Sequence, residues 1–521
     1  MKKFFTRLFS PKTLTIFFLF IEIVVLILFI IFLDEYFWIS QLFFGIAIIP
    51  ICLIIVNSKC DNSYKISWLF FLAMAPIFGV VFYLLFANKK FTKKEKAKIK
   101  PIIASMKKSM EDKKSDGYID KIDIEKDGNC YSIANYIKNE SWCNIYKDTK
   151  TTFFPWGEEA FPIMKEKLRK AKHYIFLEYF IIKPGKMWNE ILEILEQKVK
   201  ENVDVRVIYD DFGCLATLPN NYYKILRKKG IKAFAFNKIK PTLNIRMNNR
   251  DHRKILVIDG HTGFTGGINI ADEYINKDIR FGKWKDNAIM LEGDAVFSLT
   301  SLFLSTWLSF YKNKEDVNIN FADYYPSKYM NETIEYKSAK GLIQPYGSLP
   351  FSYESVGHNV YLNMILKATK SIYISTPYLI LNQEMLNAIK LASKSGVKVK
   401  IITPGIPDKK TVFQVTRSYY QTLIESGVEI YEYTPGFVHG KVFLVDNMMG
   451  TVGTVNLDYR SLFLHMENGT FIYKAPCLQD IKSDFEKTFL VCKKISLQDC
   501  KKTNIFLKMY RTILRVFAPL L

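Results

Sequence analysis

HRKILVIDGHTGFTGGIN at residues 252–269 and HGKVFLVDNMMGTVGTVN at residues 439–456 carry one pattern twice. His252 is followed by Lys254, Asp259, Gly266 and Asn269. His439 is followed at identical spacings by Lys441, Asp446, Gly453 and Asn456. Of the six histidines in the chain, two carry the whole pattern, which makes it a duplication. A histidine and a lysine two residues apart project from one face of a strand. The apolar runs that follow, Ile255, Leu256, Val257, Ile258 and Val442, Phe443, Leu444, Val445, read as strands buried on both faces. A tight turn beyond each strand lets Asn269 and Asn456 fold back. Two imidazoles, two ammonium groups and two amides are therefore expected to converge.

The duplication extends upstream. PIMKEKLRKAKHYIFLEYFII (162–182) and EILEILEQKVKENVDVRVIYDD (190–211) are answered by LNMILKATKSIYISTPYLI (362–380) and EMLNAIKLASKSGVKVKIITPG (384–405). In each, apolar residues at spacings of three and four lead into a short β-rich run. YYKILRKKGIKAFAF (222–236) and YYQTLIESGVEIYEY (419–433) then give a helix, a terminal glycine and a strand. Strands alternating with helices predict an α/β fold of two similar lobes, each a mixed sheet flanked by helices. Two such lobes related by a pseudo-twofold axis place their histidines across one cleft.

The first 88 residues differ in kind. Three runs, 13–33, 37–56 and 66–86, are apolar and almost uncharged, each about as long as a helix needs to cross a hydrocarbon core. Lys2, Lys3, Arg7 and Lys12 precede the first run, and Lys59 and Lys65 precede the third. Seven lysines between Lys89 and Lys100 follow it, whereas the turn with Asp34 and Glu35 has no basic residue. The excess of basic flanks puts that turn outside and the catalytic region in the cytoplasm. A third full crossing breaks this rule, and Pro76 and Gly79 suit a kinked or re-entrant path instead. The expected organisation is a membrane segment with two or three transmembrane or re-entrant helices (1–88) and a basic, partly helical linker (89–144). A first lobe (145–330), a second lobe (331–495) and an amphipathic C-terminal tail (496–521) follow. Localisation in the cell membrane, multi-pass, follows from the same reading.

The net charge of +22 suits an anionic partner, either nucleic acid or an acidic membrane surface. The eight cysteines lack paired spacing, so neither a zinc site nor a disulfide framework is expected. The convergent set suits phosphodiester chemistry. Lysines and amides stabilise charge on a phosphoryl group, one imidazole attacks phosphorus, and the other protonates the leaving alcohol and deprotonates the acceptor. No metal or cofactor is called for.

The duplicated HxKxxxxD motif resembles that of the phospholipase D superfamily. The surrounding phrases NNRDHRKILVIDG (248–260), GGINIADEYI (266–275) and GTVNLDYRSLFLHMENG (453–469) are similar to the superfamily's bacterial cardiolipin synthases. The resemblance implies a transphosphatidylation: a phosphatidyl group passes from one phosphatidylglycerol to the enzyme, glycerol leaves, and a second phosphatidylglycerol accepts it. It implies a phosphohistidine intermediate, with His252 as nucleophile and His439 as acid/base. Glu467, and Asp286 for the other copy, resemble the acidic residue that orients a catalytic imidazole. Asp259 and Asp446 complete the motif, either at the substrate or by shaping the loop.

The expected partners are phosphatidylglycerol and anionic membrane lipid, with no nucleic acid. Hydrolysis, phosphatidylserine synthesis, nuclease action and a membrane scaffold are the alternatives. The membrane segment favours a lipid substrate, and two intact motifs disfavour a scaffold. His173, His261, His358 and His465 read as structural or solvated, and Glu178 falls outside the site. The tail IFLKMYRTILRVFAPLL (505–521) reads either as a helix in the membrane interface or as one packed on the lobes.

Overall fold

The computed structural model of the chain describes residues 24, 27, 37–75, 79–80, 82–84, 87, 93–112, 128–238, 249–311, 319–329, 339–348 and 354–520. Two mixed sheets dominate. The first contains β1 (Thr149–Phe154), β2 (Tyr174–Tyr179), β3 (Asp204–Asp210), β4 (Lys232–Phe236), β5 (Lys254–Ile258), β6 (Thr262–Gly266) and β7 (Ala288–Gly293). The second contains β8 (Leu342–Ser348), β9 (Ser371–Ser375), β10 (Lys398–Pro404), β11 (Glu429–Tyr433), β12 (Val442–Val445), β13 (Met449–Gly453), β14 (Glu467–Tyr473) and β15 (Cys492–Ile495).

Their strand orders are β1-β7-β6-β5-β2-β3-β4 and β8-β14-β13-β12-β9-β10-β11-β15. The second repeats the first strand for strand and adds β15 at its edge, so the internal repeat extends to topology. In each sheet the motif strand, β5 or β12, lies antiparallel beside β2 or β9, near the middle. Its central position explains its unbroken apolar run, since helices or the other lobe cover both faces. Ile255, Leu256, Val257 and Ile258 are all buried, as are Val442 to Val445. The hairpin after each strand turns through left-handed residues, Asp259 (φ 48°) and Gly260 (φ 68°) in one lobe and Asp446 (φ 52°) and Asn447 (φ 55°) in the other.

The lobes are fused through one core. Phe176, Ile255 and Val257 of the first sheet belong to the same buried cluster as Ile374, Phe443 and Phe471 of the second. The helix Val296–Phe310 is buried on all sides from Val296 to Trp307, as expected of an all-apolar helix between layers. Residues 128–146 depart from the expected boundaries, because they are built into the second lobe. Tyr146 pairs with Ile343 of β8, and Gln344 donates to the carbonyls of Ala134 and Cys143 at 3.1 and 2.9 Å.

The first apolar run lies outside the described residues except at positions 24 and 27. The second forms helix Phe37–Asn57, with an unbroken stretch of described side chains from Gly45 onward. The third is helical over Asn62–Met74 and again at residues 79–80 and 82–84. Beyond Met74 the chain turns back. A Cβ on Gly79 meets Leu72 Cα at 2.8 Å, Tyr83 packs edge-on against Trp68 at 5.3 Å, and the Tyr64 hydroxyl reaches the Ala87 carbonyl. No helix among the described residues is long and apolar enough to cross a membrane.

Candidate active site

Two short backbone bridges between the lobes bring the motif residues together. Asp251 pairs with Met466, and Val438 pairs with Lys285. His252 N–H donates to Met466 O (2.9 Å), and His439 N–H donates to Lys285 O (2.7 Å). The residue after each bridged position is a histidine on one side and an acid on the other. Each imidazole therefore meets a carboxylate of the opposite lobe. His252 Nδ1 lies 2.9 and 3.0 Å from the two oxygens of Glu467, and His439 Nδ1 lies 2.6 Å from Asp286 Oδ2. Gly266 pairs with Ala288 and Gly453 with Gly469, so Asp286 and Glu467 occupy equivalent places two residues earlier.

The two halves differ in how they hold the acid. Thr454 and Ser461 donate their hydroxyls to Glu467, the latter at 2.6 Å. The place of Thr454 is taken by Gly267 in the first lobe, where a Cβ meets Asp286 Oδ1 at 2.0 Å. A shorter acid with a glycine above it replaces a longer acid with a hydroxyl.

Lys254 and Lys441 are buried, and their ammonium groups donate to the carbonyls of His252 (2.6 Å) and His439. The two asparagines act at one remove. Asn269 accepts from Ile181 N–H (3.0 Å) and donates to the Tyr274 hydroxyl (2.7 Å), and the Tyr274 ring lies 5.5 Å from that of His439. The backbone N–H of Asn456 donates to Ser461 Oγ at 2.7 Å, behind Glu467, while its side-chain Oδ1 is buried without a hydrogen-bond partner among the described residues.

Asp259 and Asp446, grouped above with the catalytic residues, are placed elsewhere. Asp259 accepts the N–H groups of Lys172, His173 and Tyr174 at 2.8–2.9 Å. Asp446 accepts those of Thr369, Lys370 and Ser371 at 2.7–2.8 Å. A strand rises about 3.3 Å per residue, so each lies roughly 17 Å along the chain from its lysine. They pin the junction leading into β2 or β9, and the loop-shaping part of the expectation describes them.

A family model described as "Cardiolipin synthase, PLD-like domain" matches residues 164–293 and 361–489, one segment per lobe. Over 481 residues the chain is 33% identical to the cardiolipin synthase of Halalkalibacterium halodurans, covering 91% of this chain and 92% of that one. The chain belongs to the cardiolipin synthase family. As a family member it is a phosphatidyltransferase of the phospholipase D superfamily. It is also 44% identical over 476 residues to an uncharacterised protein of Streptococcus mutans serotype c, covering 90% and 99% of the two chains. Among solved structures, phosphatidylserine synthase of Haemophilus influenzae Rd KW20 superposes with a TM-score of 0.55 at 18% identity. It covers 71% of this chain and 93% of its own, a likeness of fold.

In this cardiolipin synthase-family site both imidazoles rest neutral. Burial pushes His252 down to about 3, against the pull of Glu467. Burial and then Lys441 push His439 down to about 4, against Asp286. Despite the upward push of burial, His252 holds Glu467 well below the usual carboxylate range, and His439 lowers Asp286. With carboxylates ionised and imidazoles neutral, each Nδ1–H donates to its acid, leaving the Nε2 lone pair free. Burial also lowers the lysines, Lys254 to about 8 and Lys441 to about 7.

Sequence reasoning missed three features. Glu178, set aside above, is fully buried and ion-paired with Arg253 at 2.7 Å, directly beneath the motif. The only signal was a carboxylate within an apolar strand. Asp210 ends β3, accepts the N–H groups of Phe212, Gly213 and Asp251 (2.8–3.0 Å), and is pushed by burial up to about 7. His465, read as structural or solvated, lies with its ring 5.6 Å from that of His252. His252, His465 and Glu467 bring ligand-type atoms within 4.8 Å of one another. Sequence spacing shows His465 two residues from Glu467 but not His252, which comes from the other lobe. Glu467 is already engaged there by His252 and two hydroxyls.

Proposed function

We propose that the chain transfers a phosphatidyl group between two phosphatidylglycerol molecules, releasing glycerol and forming cardiolipin, through a phosphohistidine on His252. The observation that supports this reading is the cross-lobe pairing of two neutral imidazoles with ionised acids, next to two buried lysines. The Nε2 lone pair of His252 attacks phosphorus. The P–N bond forms, the P–O bond to glycerol breaks, and the glycerol oxygen takes a proton from His439. A second phosphatidylglycerol then gives its terminal hydroxyl proton to His439, its oxygen attacks phosphorus, and the P–N bond breaks. His252 is freed and His439 ends protonated, as it was when the first step began after taking a proton from solvent as the anionic substrate bound.

His439 must carry a proton in the first step, and the bound phosphodiester anion supplies the charge that raises its proton affinity. Lys254 and Lys441 balance the charge on the phosphoryl oxygens. On this reading Asp286 and Glu467 hold the imidazoles in one tautomer, the Asn269 side chain supports His439 through Tyr274, and the backbone of Asn456 fixes the Ser461 hydroxyl behind Glu467. The donor and acceptor being lipids, the protein works at the cell membrane as a multi-pass protein with its lobes on the cytoplasmic side. The basic flanks of the apolar runs support that orientation.

The test is a product assay with purified protein and labelled phosphatidylglycerol in mixed micelles, without added metal. Cardiolipin and free glycerol are expected from the wild type and from neither His252→Ala nor His439→Ala. Phosphatidic acid as the main product overturns the acceptor assignment.

A further inference from the structure

The C-terminal helix Ile505–Phe517 is packed with the opposite polarity to a water-soluble helix. Ile505, Phe506, Met509, Tyr510 and Ile513 form a stripe at helical spacing and are between 44% and 73% exposed. Its two arginines face the protein instead, while Lys508 donates to the Lys501 carbonyl. Arg511 donates to Gln414 at 2.9 Å, and the Arg515 guanidinium lies 4.2 Å over the Tyr419 ring. An amphipathic helix in water buries its apolar side. Here the polar contacts have been used to dock the helix and the apolar side is turned out.

This stripe does not stand alone. Helix Asn62–Met74 exposes Ile66, Phe70 and Met74, at 61%, 44% and 65%, on successive turns. The two helices join where Phe70 packs edge-on against Phe517 at 5.7 Å and Ser67 donates to the Val516 carbonyl at 2.6 Å. Lys501 and Lys502, both exposed, lie just before the C-terminal helix. The face is tied to the catalytic lobe, since Asn382 donates to Asp61 at the start of helix Asn62–Met74 (3.0 Å). The final turn, Ala518–Leu520, packs on helix Tyr459–Phe463, whose Ser461 holds Glu467.

We infer that the outward stripes of Ile505–Phe517 and Asn62–Met74 form one membrane-docking face, seated in the headgroup–acyl boundary of an anionic bilayer. The stripe is apolar enough for lipid, the lysines beside it fit anionic headgroups, and it is continuous with the apolar N-terminal segment. Its contact with Tyr459–Phe463 makes it the support that holds the site at the height of the lipid phosphates. This extends the proposed function by naming the surface through which the site reaches its substrate.

The full chain is reconstituted in vesicles of phosphatidylglycerol and phosphatidylcholine containing a photoactivatable lipid, and adducts are mapped by mass spectrometry. Adducts are expected on residues 505–513 and 66–74. Absence of adducts there, or protein–protein crosslinks through the stripe showing that a second copy covers it, overturns the inference. A Phe506→Asp, Met509→Asp variant is then assayed on vesicle phosphatidylglycerol and on dispersed short-chain phosphatidylglycerol. About a tenfold loss on vesicles alone is expected, with Phe506→Leu close to wild type. Equal loss on both substrates assigns the helix a purely structural part and refutes docking. A wild type that crosslinks but makes no cardiolipin refutes the proposed reaction and leaves the docking face standing.

Discussion

Replacing Glu467 by glutamine removes one negative charge at nearly constant shape. The carboxylate is fully buried, 2.9 and 3.0 Å from His252 Nδ1, with the hydroxyls of Thr454 and Ser461 on its oxygens. Phosphohistidine formation places positive charge on the imidazole, which the carboxylate stabilises. Two unit charges at this separation interact by about 6 kcal/mol at an effective dielectric of about 20. With about half the charge developed in the transition state, the loss is about 3 kcal/mol, or roughly 100-fold in rate. Glutamine can also turn its amide N–H toward Nδ1, moving the ring proton to Nε2 and removing the nucleophilic lone pair. The known cost of such a tautomer error, about 10⁴-fold, sets the upper end. Single-turnover release of labelled glycerol, with Tm measured in parallel, is the assay. A loss of 10² to 10⁴ at nearly unchanged Tm is expected. A loss under fivefold refutes the argument that cross-lobe charge drives the step.

Gly267→Ala places a methyl group where Asp286 now approaches the backbone, so the carboxylate must leave His439. A fall in kcat of at least 100-fold, without a matching change in KM, is the expected kinetic result. Asp259→Asn keeps the left-handed turn but loses a charge-assisted acceptor for the N–H groups of residues 172–174. Thermal denaturation should show a cost of about 1–3 kcal/mol, with kcat per folded molecule preserved. Lys441 and Lys254, lowered to about 7 and about 8, lose their charge as pH rises through those values. A pH profile of kcat/KM should therefore fall on its alkaline side between about 7 and 8, and Lys441→Arg should move that limb upward.

The two lobes were legible because duplication puts the same constraints on two stretches. A strand buried on both faces, like Ile255–Ile258, has few alternatives to its unbroken apolar run. The partners of the histidines were legible only as a resemblance, because Glu467 and Asp286 meet rings 215 and 153 residues away. Such pairs depend on how the lobes dock, which periodicity does not encode. Asp259 and Asp446 misled for the opposite reason. Fixed spacing from the catalytic residues reads as shared chemistry, yet here it reflects the fixed length of the intervening strand. The Arg253–Glu178 pair was hidden because a lone carboxylate in an apolar strand carries no mark of its partner. Pro76 and Gly79 left the path of the third run open, and the packing of Gly79 and Tyr83 on helix Asn62–Met74, like the inverted polarity of helix Ile505–Phe517, emerges only once the neighbours are placed.

The most direct test of the central claim is to trap the intermediate. Phosphatidylglycerol labelled in its phosphate is mixed with wild type, His439→Ala and His252→Ala. The reactions are quenched in mild alkali, where phosphohistidine survives, and the labelled peptide is sequenced. Label on the peptide containing His252, in wild type and absent from His252→Ala, is the result expected. Label on His439 instead, or a wild type that turns over phosphatidylglycerol without ever carrying label, contradicts the account.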